Sequence, residues 1–301
     1  MAEARIPVDL RNPGQVFACL GLMEAAEILF AGAEVTGGYC WEAGATQAQF
    51  RLDVTDVADP VLEILRFLHG AEAVALAPNG SELRAEEKGV ATAPYGDAGV
   101  YPCPPPKTPA ALPAELRRGA VALPLGHWAD GRHIGRDNVK FWAGAGGYSG
   151  AALARDALDP ISRLGDNALT VVATDPFAFT APQTSSFRFD WRRDYVPMDL
   201  GFSPNDHKST MTMQGYPLVE LLAAAGLEHA RPRRLENKLH YRYGVSDVML
   251  PPALARAVLG AQAVCGPIRI FSMTLGWPSK EGQARCIINA LEVSNQEDER
   301  R

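Results

Sequence analysis

The densest run of chemistry-bearing side chains lies between Ala230 and Tyr243, where Arg231, Arg233, Arg234, Lys238 and Arg242 meet a single acid, Glu236. In a chain of formal net charge -6, this is a local positive segment on an acidic background, the composition expected where an anion is met. The end of the segment, Leu239-His240-Tyr241-Arg242-Tyr243, reads as a strand with Tyr241 and Tyr243 on one face and His240 and Arg242 on the other. Two readings of the rings are open. They stack on unpaired bases while the arginine holds phosphate, or they are core rings beside a solvated arginine.

A second stretch, Gly144-Ala145-Gly146-Gly147-Tyr148-Ser149-Gly150, runs into a predicted helix over 151–158. Glycine admits close backbone approach, and a helix N-terminus carries partial positive charge, so the stretch reads either as a phosphate cradle or as a plain surface loop. It lacks the Lys-Ser/Thr of a P-loop and the frame of a dinucleotide-binding turn, and Ser149 is one residue off a nucleophile elbow. Lys140, Gly146 and Gly147 join Arg231, Arg233, Arg234, Lys238, His240 and Arg242 as candidate nucleic-acid contacts. The six histidines form no HxxxH or HExxH pair. Asp190, Asp194, Asp199 and Asp206 read as solvated or salt-bridged, with Asp190 and Arg188 sharing the outer face of a strand over 187–192. No catalytic residue, metal site or cofactor follows. The alternative is a small-molecule or nucleotide-acting enzyme that uses the Gly144–Gly150 loop and the acids from Asp190 to Asp206.

The elements that must position these groups follow from periodicity. A short strand around Ile6-Pro7-Val8 is pushed to a sheet edge by its proline. Asn12 then caps a helix with Pro13 in its first position and Gln15 placed for a capping box, and bare backbone at Gly14 and Gly21 invites close packing. Residues 47–54 alternate as a half-buried strand, and Asp59-Pro60 opens a helix over 61–68. Seven prolines between Pro94 and Pro113 mark 91–118 as a linker or long loop. Beyond it come strands over 120–125, 187–192, 239–245, 267–275 and 284–293 and helices over 217–225 and 252–262, with a hairpin loop at 277–282. The expected class is α+β, with mixed or antiparallel sheets and packed helices. The halves, 1–90 and 119–294, suit two ferredoxin-like units, and 295–301 is a tail expected to be disordered. A faint echo links Pro13 and Gly21-Leu22-Met23-Glu24 to Pro217 and Gly226-Leu227-Glu228.

With 47% hydrophobic and 21% charged residues the composition is globular. Five scattered cysteines with no CxxC pair argue against a disulfide framework and fit a reducing cytoplasm. No apolar run is long enough to span a bilayer. The acidic balance argues against a protein that coats nucleic acid alone, and leaves room for a subunit with one basic face in a larger assembly.

Several segments together resemble a CRISPR-associated family of type I-U (also called I-G) systems. They are Asn12 to Ala26, His127-Trp128, Lys140-Phe141-Trp142-Ala143-Gly144, Phe189-Asp190 through Asp199 to Asn205, and Tyr216 to Glu228. The resemblance lies in their order and spacing and spans most of the chain. It implies a non-catalytic subunit of a Cascade-type surveillance complex, either short and large-subunit-like or of the RNA-binding repeat-associated type. The implied partners are guide RNA, target DNA, other Cascade subunits and, transiently, a helicase-nuclease.

Overall fold

A computed structural model of the chain describes residues 3–86, 89–95, 109, 112–125, 149–183, 185–194, 213–237, 239–276 and 286–293. The class is α+β. The first strand, β1 (Ala4–Asp9), leads into α1 (Pro13–Leu29), whose cap Asn12 accepts from the Gly14 N–H at 3.1 Å. Gln15 does not close a capping box: its Oε1 accepts instead from the Asp9 N–H at 2.7 Å, tying the helix to the end of β1. A hairpin of β2 (Val35–Trp41) and β3 (Gln47–Val54) follows, then α2 (Pro60–His69), capped by Asp59 through the Leu62 N–H at 3.0 Å. Next come β4 (Glu72–Ala77), β5 (Ala91–Pro94), β6 (Ala114–Arg118), β7 (Val121–Leu125), α3 (Gly150–Ser162) and α4 (Asp166–Thr174). The last part holds β8 (Ala181–Pro182), α5 (Trp191–Asp194), β9 (Gln214–Gly215), α6 (Pro217–Gly226), β10 (Arg233–Arg234), β11 (His240–Val245), α7 (Pro252–Leu259), β12 (Arg269–Gly276) and β13 (Cys286–Glu292).

Three larger sheets result, in the orders β1-β3-β2, β5-β4-β6-β7 and β10-β11-β12-β13, with a small β8-β9 pair. All pairings are antiparallel except β4 with β5. Pro7 sits on the edge strand β1, where a missing N–H removes no ladder bond. The succession β-α-β-β-α-β of a ferredoxin-like unit occurs twice, as β1-α1-β2-β3-α2-β4 and β9-α6-β10-β11-α7-β12. Neither closes such a sheet: β4 leaves for the β5-β4-β6-β7 sheet, and β9 pairs with β8. Strands β5 and β6 occupy the two ends of the stretch 91–118, both hydrogen-bonded to β4. The expected hairpin loop 277–282 and the tail 295–301 lie outside the described residues.

One core joins the elements. It takes Ile6, Phe50 and Leu52 from the first sheet, Leu116 and Leu123 from the second, and Tyr243, Phe271 and Met273 from the third. Helix α1 is buried from Pro13 to Ala26 on every side, a whole-circumference burial rather than a single apolar stripe. Its neighbour α6 crosses it at backbone contact. A Cβ on Gly21 would lie 1.8 Å from the Leu222 carbonyl oxygen, and one on Gly226 would lie 2.2 Å from that of Phe17. At the other end of α1, Arg256 of α7 closes on the buried Glu24 through two bonds of 2.6 Å each. No helix among the described residues is long and apolar enough to cross a membrane.

Candidate nucleic-acid interface

Strand β11 forms because its residues alternate between a core face and a mixed face. Tyr241 and Tyr243 are 2% and 0% exposed, which decides their role: both are core rings, closed to any base. Tyr243 stacks on Phe271 with centroids 5.4 Å apart, meets Phe17 edge-on at 5.8 Å, and donates its hydroxyl to the Leu10 carbonyl at 2.8 Å. Burial raises its pKa well above the usual phenol value. The rings therefore fix the strand, and His240 and Arg242, both half-buried, are carried on the opposite face.

The short strand β10 pairs antiparallel with β11, setting Arg233 directly opposite Arg242 and Arg234 opposite Tyr241. Directly opposed residues share a face, so the exposed Arg233 stands beside Arg242, while Arg234 points to the tyrosine side. Arg231 is exposed just before β10. Of the sequence candidates, the fold thus unites Arg233, Arg242 and His240 on one face, leaves Arg231 at its border, and sends Arg234 away. Lys140, Gly146, Gly147 and Lys238 lie outside the described residues.

The rows continue across the sheet. Arg242 faces Ser272 and through it Leu291, and His240 faces Thr274 and through it Asn289. Sequence reading missed these partners because lone hydroxyls and amides on separate strands carry no local signal; only register unites them. The acid on β13, Glu292, sits opposite Phe271 on the other face and accepts from Arg269 Nε and Nη2 at 2.7 Å each. The hydrogen bond from Arg269 holds its carboxyl below the usual range. Glu228, shortly before Arg231, is shifted the opposite way: burial raises its pKa against the pull of His229 and Arg231.

Asp190 is salt-bridged, as expected, but in another place and with another partner, while Asp199 and Asp206 lie outside the described residues. Residues 187–192 are not a strand. Phe187 to Asp190 run irregularly, with Arg188 in the left-handed region at φ 66, and α5 begins at Trp191. Asp190 is 0% exposed rather than on an outer face, and its partner is Arg192, not Arg188. Asn12 Nδ2 donates to it at 3.0 Å, Arg192 Nε at 2.9 Å and Nη2 at 2.5 Å. Glu220, also buried, accepts from the Phe189 and Asp190 N–H groups at 3.3 and 3.0 Å. The Arg192 guanidinium lies 3.4 Å above the Tyr216 ring and donates to the Phe177 carbonyl. This network clamps the N-termini of α1 and α6 to the intervening chain, and it consumes the carboxylate that an enzymatic reading would start from.

The start of α3 is likewise occupied. Ser149 caps it by accepting from the Ala152 N–H at 3.1 Å, and the residues from Ser149 to Ala154 are buried. Gly144 lies outside the described residues with the rest of the loop up to Tyr148. Among the described residues no three His, Cys, Asp or Glu side chains converge as metal ligands. The chain matches no family model, no curated protein and no solved structure.

Proposed function

We propose that this chain is a non-catalytic subunit of a type I-U (I-G) CRISPR interference complex that holds guide RNA or target DNA by its phosphates. The observation that supports the nucleic-acid part is the direct pairing of Arg233 with Arg242, with His240 on the same face and Arg231 at its edge. Guanidinium groups at strand spacing suit successive phosphate oxygens and take part in no bond-breaking step. The assignment to a CRISPR complex rests on the order of segments from Asn12 to Glu228 that resemble that family. Neutralisation of Asp190 by Arg192 removes the most central acid from an enzymatic alternative. The remaining acidic surface then faces other subunits, and cutting belongs to a separate helicase-nuclease.

The test is copurification. A tagged chain expressed with its neighbouring operon is expected to bring down companion subunits and a discrete RNA. Recovery of the chain alone, free of nucleic acid and of the other operon products, would contradict the proposal.

A further inference from the structure

Each of the three larger sheets ends in two edge strands, and an open edge offers unpaired N–H and C=O groups to another strand. All but one of these edges are blunted. Pro7 lies on β1, Pro94 on β5 and Pro124 on β7, and β10 consists of Arg233 and Arg234 alone. The free side of β2 is covered by the segment from Ser246 to Leu250. Tyr39 donates its N–H to the Ser246 carbonyl at 2.9 Å, and Gly37 and Leu250 exchange bonds of 2.9 and 2.8 Å. The remaining edge is β13, which carries no proline, lysine or arginine from Cys286 to Glu292.

The ladder shows which groups of β13 are left over. Leu275 donates to the Leu239 carbonyl and Val293 to that of Ile270, each at 2.8 Å, so alternate residues of β12 serve β11 and β13. On β13, Leu291 and Val293 therefore bond to β12, while the N–H and C=O of Ala290 and Glu292 point away from the sheet. Helix α5 lies close to β13, yet among the described residues no hydrogen bond reaches those outward groups. The register shifts before Asn289, so the regular part of the edge runs from Asn289 to Val293. At its centre Leu291 is 55% exposed.

We propose that this edge pairs with the same edge of a second copy of the chain, antiparallel, about a two-fold axis through Leu291. That register opposes Leu291 to its counterpart between ladder bonds, where side chains approach most closely, and lets Ala290 and Glu292 exchange hydrogen bonds across the axis in both directions. Charge selects a second copy as the occupant. A net charge of -6 repels copies over most of the surface, but here the one acid of the strand, Glu292, is held by Arg269 at 2.7 Å and falls opposite Ala290 rather than another carboxylate. A charged partner strand would find no uncompensated charge on β13 to meet. The contact is smaller than a standard interface of ~1,200 Å² or more, so the expected dissociation constant is about 10 to 100 μM. The proposal is independent of the nucleic-acid reading, whose basic residues lie at the β10 end of the sheet.

The experiment is sedimentation equilibrium of the full chain from ~1 to ~500 μM, a range that brackets this constant. A monomer to dimer equilibrium is expected. Leu291→Lys, which opposes two ammonium groups, is expected to weaken it about tenfold or more. Val171→Lys, at a 70% exposed position on α4, is expected to leave it unchanged. Register is read by crosslinking under oxidising conditions in a Cys40→Ser background, which removes an exposed native thiol. Leu291→Cys is expected to give a disulfide-linked dimer, because facing positions between ladder bonds lie ~4.5 Å apart at Cα. Asn289→Cys is not, because its counterpart would lie ~13 Å along the strand. Melting curves matching the unmutated chain establish that the variants are folded, and should Leu291→Lys melt early the crosslinks decide. A chain that stays monomeric throughout overturns the proposal. So does a dimer that Leu291→Lys leaves intact, one that Val171→Lys weakens equally, or one in which Asn289→Cys crosslinks as well as Leu291→Cys.

Discussion

Replacing Gly21 by Ala tests the packing that holds the two halves together. The added Cβ would fall 1.8 Å from the Leu222 carbonyl oxygen, and backbone on both sides denies it any side-chain rotation to escape. Restoring ordinary contact requires α1 and α6 to part by more than about 1 Å. Because α1 is buried on every side from Pro13 to Ala26, movement from α6 presses it into the β1-β3-β2 sheet or opens a gap at the crossing. A gap of that size forfeits about a quarter to a half of each affected dispersion well. Overpacking costs ~1 to 3 kcal/mol, and the loss of contacts along the crossing adds to it. Against this, alanine in a helix interior gains ~1 kcal/mol over glycine. Overpacking less propensity nets to a loss of up to about 2 kcal/mol, which for a domain of this size lowers the melting temperature by roughly 4 to 8 °C, and the parted crossing adds to it. Thermal melts and urea midpoints read it directly. Gly226→Ala, whose Cβ meets the Phe17 carbonyl at 2.2 Å, is expected to behave alike, and the double variant to lose less than the sum because one separation relieves both clashes. A Gly21→Ala chain that melts at or above the unmutated temperature would refute the crossing.

Asn12→Ala removes both the cap to the Gly14 N–H and a donor to the buried Asp190, so a loss of ~2 to 3 kcal/mol is expected in urea unfolding. Asn12→Asp, normally a benign cap exchange, is expected to cost at least as much by setting two carboxylates together, and a stabilised Asp variant would show that the Asp190 contact is wrong. Burial holds the Glu228 carboxyl above its ordinary value of 4.5, so ionising it opposes folding: the penalty is absent below that value and grows as pH rises through the raised one. Glu228→Gln should therefore raise the melting temperature at about pH 8 and leave it unchanged at about pH 4, and an equal effect at both would contradict the assignment. The isolated chain with magnesium or manganese is expected to leave RNA and DNA intact, and Asp190→Asn to lower the melting temperature. Cleavage that Asp190→Asn abolishes without changing the melt would overturn the non-catalytic reading.

Local signals in the sequence were legible wherever the cause was local. Asn12 and Asp59 cap their helices through bonds two and three residues away, and β3 spans Gln47–Val54, the residues whose alternation predicts it. Bare backbone at Gly14 and Gly21 meets close neighbours, Phe189 and Leu222. What failed depended on distant partners. Residues 187–192 alternate as a strand would, and Phe187 and Phe189 are indeed buried and stacked 5.7 Å apart, yet Asp190 is drawn inward by Asn12, 178 residues away, and by Arg192. Strand β2 carries Gly37-Gly38, a pair that by itself signals a turn; in the fold their missing side chains make room for Met23, Phe50 and the backbone at Val248. In the candidate site the clustering of basic residues was visible in the chain, but their division between two faces was not. Arg234 differs from Arg233 only by one step of register in a two-residue strand.

That one step supplies the most direct measurement of the central claim. For the complex proposed above, binding of guide RNA and of target DNA is followed across a salt series for Arg233→Ala, Arg231→Ala/Arg233→Ala and Arg234→Ala. Each lost phosphate contact flattens the dependence of log affinity on log salt by ~0.7 to 0.9. The fold predicts a flatter slope for the first variant, flatter still for the second, and an unchanged slope for Arg234→Ala, whose side chain lies with Tyr241 on the other face. Three slopes equal to that of the unmutated complex, or a loss confined to Arg234→Ala, would contradict it.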